Sequence, residues 1–102
     1  GRVTDDVLRS LALSVHVLGV DAVVIMQHTK CGLAGVTDDE LRTLTGADFG
    51  FFPIDDHAAA LREDIDLLAN KQYLQPLQFL AGFVYDVESG ELDDIVRWER
   101  PS

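Results

Sequence analysis

The stretch "QHTKCG" places the chain's only cysteine, Cys31, three positions after His28. Imidazole nitrogen and thiolate sulfur both suit zinc, and a spacing of three lets both reach one ion from a turn. Gly32 follows directly, which gives the backbone room to curl around an ion. It is therefore a candidate for hydrogen bonding or close approach near a metal. The pattern leaves two further readings open. One is a buried thiol beside a satisfied imidazole. The other is a cysteine nucleophile with His28 as base, although no third group that would orient the base is apparent.

The elements around this pair must position it. "DAVVIMQH" is a continuous apolar run without alternation, which predicts a central parallel strand covered on both faces. His28 then sits at its carboxyl end, where open α/β sheets hold their ligands. Before it, Thr4 is a plausible N-cap with Asp5 and Asp6 in the first turn, and Leu8, Leu11, Val15 and Leu18 recur at helical spacing up to Gly19. Val7, Leu13 and Val17 widen the apolar surface, which predicts a helix buried on two sides, either inside a larger fold or at a subunit contact. After the pair, Thr37 and Glu40 are spaced as a capping box opening a second helix in "TDDELRTLTG". "FGFFPIDD" reads as a loop. A third helix is expected from about Asp56 to Leu68, with Ala58, Leu61, Ile65 and Leu68 on one face.

The period then changes. In "LQFLAGFVYDV", Leu77, Phe79, Ala81, Phe83, Tyr85 and Val87 fall on one side of a strand. "ESGE" supplies a turn and "LDDIVRW" a return strand. The expected fold class is α/β: a central, mainly parallel sheet flanked by helices, closed by a C-terminal antiparallel hairpin. A single long parallel strand makes a poor sheet, so the fold is expected to be incomplete within these residues.

Other groups that titrate are assigned plainer roles. His16 and His57 read as surface or packing residues on helices, with proton transfer as the alternative. Asp38, Asp39, Asp55 and Asp56, like Asp5 and Asp6, look like helix caps and not a catalytic pair. Tyr85 and the aromatics of "FGFFP" read as core or interface.

Bulk properties narrow the function classes. The chain has 102 residues, 47% of them hydrophobic, and a formal charge of −10. That suits one modest core and opposes binding to nucleic acid or anionic membranes, both of which need clustered Lys and Arg. No apolar run approaches the roughly 20 residues that span a bilayer. One cysteine excludes an internal disulfide and fits the reducing cytoplasm.

"RVTDDVLRSLALSVHVLGVDAVVIMQHTKCGLAG" resembles the central segment of β-class carbonic anhydrases, in which a helix leads into a strand ending in His-(Thr/Ser)-x-Cys-Gly. "LAGFVYDVESGEL" is similar to that family's closing strand and turn. The resemblance implies Zn²⁺ as cofactor, with His28 and Cys31 as two of its three protein ligands. It implies CO2 and bicarbonate as substrates, and assembly as a homodimer or homotetramer. The family's third ligand lies in an upstream Cys-x-Asp-x-Arg motif, whose Asp and Arg control access to the zinc, and that motif does not occur here. No catalytic residue of that pair is therefore expected in this chain. Residues 1–102 are expected to form the C-terminal portion of a single longer domain, with little CO2 hydration by themselves. A non-catalytic paralogue acting as a binding or assembly module, and the same zinc site working on CS2 or COS, are the alternatives.

Overall fold

The structure, a computed structural model, describes residues 2–29, 37–47 and 56–101. In chain order these form helix α1 (Asp5–Leu18), strand β1 (Ala22–His28), helix α2 (Asp38–Thr45), helix α3 (His57–Ala69), a 3₁₀ turn (Gln72–Leu74) and strands β2 (Phe79–Tyr85) and β3 (Leu92–Glu99). The expected order of helix, strand, two helices and hairpin is observed, and the fold is α/β. "FGFFPIDD" lies mostly outside the described residues.

Helix ends follow local chemistry. Thr4 occupies the N-cap of α1 without a side-chain hydrogen bond, and the stop comes at Gly19, in left-handed backbone at φ 73°. Val20 N–H donates to Ser14 O at 3.1 Å, a closing bond that this left-handed residue makes possible. Thr37 caps α2 by accepting from Glu40 N–H at 3.1 Å. Asp56 caps α3 by accepting from Ala58 and Ala59 N–H at 2.9 and 3.3 Å.

The sheet order is β1-β2-β3. β1 runs parallel to β2 from Ala22↔Phe79 to His28↔Tyr85, and β2 runs antiparallel to β3 with an irregularity at Gly82/Phe83. The central strand is thus β2, which corrects the expectation for β1. β1 is the outer strand of this sheet and is not covered on both faces: Val24 and Met26 are 52% and 50% exposed. Its outward row Ala22, Val24, Met26 and His28 stands open, while Val23, Ile25 and Gln27 turn toward the helices.

In β2 the row under α3 is the one that alternates with Phe79, Ala81, Phe83 and Tyr85. Leu80, Gly82 and Val84 lie beneath α3, while in the other row Ala81 is buried, Phe79 and Phe83 are half-buried and Tyr85 is exposed. The reason is Gly82. A Cβ there would lie 3.2 Å from Leu61 of α3 and 3.0 Å from Val96 of β3, so the helix approaches along this row. α3 touches all three strands. Leu61, Ile65 and Leu68 are buried as expected, Ala58 is half-buried, and Ala60 is buried as well. α1 adds Leu8 and Val15 to the same core, beside Leu74, Leu77 and Leu80. Its other side carries Leu13, Val17 and Leu18, all more than half exposed in this chain.

A buried ion pair joins the N-terminal segment to α3. Asp64, 2% exposed, accepts from Arg2 Nε and Nη2 at 3.1 Å each and from Val3 N–H at 3.0 Å. Hydrogen bonding to Asp64, outweighing partial desolvation, pushes the Arg2 guanidinium above its ordinary pKa. A raised pKa means that this stabilisation is complete below the unfolded value. It is lost only as pH rises through the still higher folded value, so the clamp holds across the physiological range.

Two outcomes test this packing. Gly82→Ala should destabilise the chain by about 1–3 kcal/mol in urea unfolding, through overpacking against Leu61. Arg2 also pairs with the exposed Glu63 at 3.1 Å. Asp64→Ala should cost about 3 kcal/mol by taking the buried partner from Arg2, whereas Glu63→Ala should cost less than about 1 kcal/mol.

Candidate metal-binding turn

β1 delivers its last residue, His28, to the carboxyl edge of the sheet, and the chain is held there by β2. Thr29 N–H donates to Tyr85 O at 2.9 Å, which extends the parallel ladder one step past the strand. Thr29 Oγ1 then accepts from Val87 N–H at 3.1 Å. Val87 is placed by a tight turn in which Asp86 O accepts from Gly90 N–H at 2.8 Å, with Gly90 at φ 77°. Asp86 Oδ1 also accepts from Glu88 and Ser89 N–H at 2.9 and 3.3 Å.

The His28 ring is exposed and lies on the open side of the sheet, in the row of Met26 and beside Tyr85 in register. Its Nδ1 lies 2.9 Å from Thr29 O. A carbonyl only accepts, so Nδ1 carries the hydrogen and, in the neutral ring, Nε2 keeps its lone pair. That is the tautomer a metal-ligating histidine adopts when a carbonyl orients its other nitrogen. The described donor therefore fits a zinc ion in its chemistry. Cys31 and Gly32, the other two residues singled out for this turn, lie outside the described residues, as does Lys30. Among the described residues, no three His, Cys, Asp or Glu side chains gather as a metal site.

The remaining candidates fall elsewhere. His16 Nε2 donates to Tyr73 O at 2.6 Å, tying the last turn of α1 to the 3₁₀ turn. Asp38 and Asp39 lie in the first turn of α2, within 3.8 and 3.4 Å of Arg42. Asp5 and Asp6 open α1, with Asp6 paired to Arg9 at 3.1 Å, and Asp56 is the α3 cap already described. Asp55 lies outside the described residues.

Sequence reasoning passed over Gln27. It is 1% exposed, and its Oε1 accepts from His57 Nδ1 at 2.6 Å, which joins the end of β1 to the first residue of α3. Its signal was present as the one polar side chain between Ala22 and His28.

No protein-family model matches the chain. It is 31% identical over 99 residues to β-carbonic anhydrase 1 of Mycobacterium tuberculosis, covering 91% of this chain and 61% of that protein. A solved carbonic anhydrase structure from Streptococcus mutans superposes with a TM-score of 0.79 at 34% identity, covering 93% of this chain and 61% of that one. A carbon disulfide hydrolase of Saccharolobus solfataricus is 39% identical over 41 residues, covering 40% of this chain and 20% of that protein. The chain thus spans about three-fifths of the length of the carbonic anhydrases it matches.

The His28 tautomer is open to direct measurement. In ¹H–¹⁵N spectra of the neutral ring, Nδ1 should show the protonated shift and Nε2 the unprotonated one. The reverse pattern would show that Thr29 O does not orient the ring.

Proposed function

We propose that this β-class carbonic anhydrase-like chain contributes His28 and Cys31 to a zinc site that interconverts CO2 and bicarbonate. The observation that carries the proposal is the hydrogen bond of His28 Nδ1 to Thr29 O, which leaves Nε2 as the donor for a metal at the end of a parallel strand. It is supported by the likeness to carbonic anhydrases over nine-tenths of the chain. The comparisons bear on carbonic anhydrase chemistry at family level, and the zinc ligands and substrate are our reading.

When bound, zinc supplies Lewis acidity that lowers the pKa of water from about 15.7 to around 7. The chain's own residues do the positioning. Thr29 O holds the Nδ1 hydrogen and so aims Nε2 outward. Tyr85 O and Val87 N–H hold Thr29 in turn. Met26 and Tyr85 flank His28 on the open side of the sheet, presenting apolar surface to an uncharged linear substrate. Cys31 adds a thiolate donor. The third ligand and a group to orient the reacting oxygen come from beyond the two residues named here.

The likeness to a carbon disulfide hydrolase favours a second reading, the same turn acting on CS2. Self-association as a homodimer or homotetramer forms part of the proposal, supported by exposed Leu13, Val17 and Leu18 on α1. So does a cytoplasmic setting, which the single cysteine favours. Among the described residues, no helix is long and apolar enough to cross a membrane.

Zinc titration against a chromophoric chelator tests the site. His28→Ala and Cys31→Ser should each weaken binding by at least about 10-fold, and unchanged affinity in both would remove the zinc reading. Stopped-flow proton release from CO2, set against sulfide release from CS2, decides between the substrates.

A further inference from the structure

A buried polar side chain in an apolar strand needs a partner, and Gln27 has one on a different element. Its neighbours Val23 and Ile25 on the covered side are aliphatic, and it reaches past them to the start of α3. Its carbonyl oxygen can only accept, so His57 donates through Nδ1–H at 2.6 Å. His57 is the first residue of α3, whose N-terminus Asp56 caps and whose body Leu61, Asp64, Ile65 and Leu68 bury. The imidazole is therefore mounted on a firmly seated element.

This contact complements the one made by Thr29. Residue 29 is held within the sheet by Tyr85 O and Val87 N–H. Residue 27 is held from the helix layer by His57. His28 lies between them, and its ring is hydrogen-bonded to Thr29 O. The backbone on either side of the ring is thus tied at 27 to the helix layer and at 29 to the sheet.

We infer that His57 is a positioning residue for the His28 turn, acting through the buried Gln27 amide. The inference deepens the zinc reading and rests on it for one half of its test. His57→Ala removes the donor, whereas His57→Asn offers an amide N–H close to the place of Nδ1. Zinc affinity should fall about 10-fold in His57→Ala, the lower end expected for a group that orients a ligand. It should recover at least in part in His57→Asn.

The second readout uses metal-free protein, in which the His28 ring ¹⁵N shifts should move toward tautomer averaging in His57→Ala and return in His57→Asn. If His57→Ala does not fold, Gln27→Met, which keeps the bulk and loses the acceptor, is measured in the same way. A lower melting temperature with unchanged His28 shifts and unchanged zinc affinity would reduce the contact to a structural tie and overturn the inference. If the wild-type chain binds no zinc, the zinc reading falls, and the metal-free His28 shifts still decide the role of His57.

Discussion

The close approach of α3 to the central strand is the contact on which the rest of the structure depends. It is possible because Gly82 has no side chain, which lets Leu61 lie where a Cβ would otherwise need the space. Around that point Ile65, Leu68, Leu74, Leu77 and Leu80 exclude water almost completely. Burial of such aliphatic side chains is the main favourable term in folding, at roughly 25 cal/mol per Å² of apolar surface. The same contact decides which side of the sheet is covered. It therefore decides that His28, one position out of phase with Gln27, faces outward.

That division of the strand end gives each face a separate task. The covered face holds an amide–imidazole bond between the buried Gln27 and the half-buried His57. The open face carries an exposed imidazole whose Nδ1 is hydrogen-bonded to a carbonyl. Adjacent residues on a strand point to opposite sides, so a rigid, buried anchor and an accessible ligand can be neighbours in sequence. A helix would have set them about 100° apart and made this separation less complete.

Much of this was legible in the residues. Helix ends at Gly19, Thr37 and Asp56 follow from local chemistry, and the hairpin follows from alternation broken by "ESGE". The place of His28 at a strand's carboxyl end was legible too, because the apolar run stops there. The covered side of β2 was not, since Phe79, Phe83 and Tyr85 carry more apolar surface than Leu80, Gly82 and Val84. Helix packing was decided instead by the smallest residue in the row. Nor was the exposure of β1, because an unbroken apolar run has the same composition whether one face or both are covered. Asp64 escaped for another reason: its partner, Arg2, lies 62 positions away, and no local pattern reports such a pair.

The topology also bears on the order in which parts of the molecule gain structure. β2 and β3 meet across a tight turn, whereas Thr29 and Val87, at the end of the parallel pair, are 58 positions apart. Closing so long a loop costs chain entropy before any pairing repays it, so local hairpins have the advantage of early formation. By that argument the hairpin and α3 make the template, and β1 docks against it afterwards. The turn that carries His28 is then among the last features to acquire its register, and among the first to lose it when the molecule opens locally.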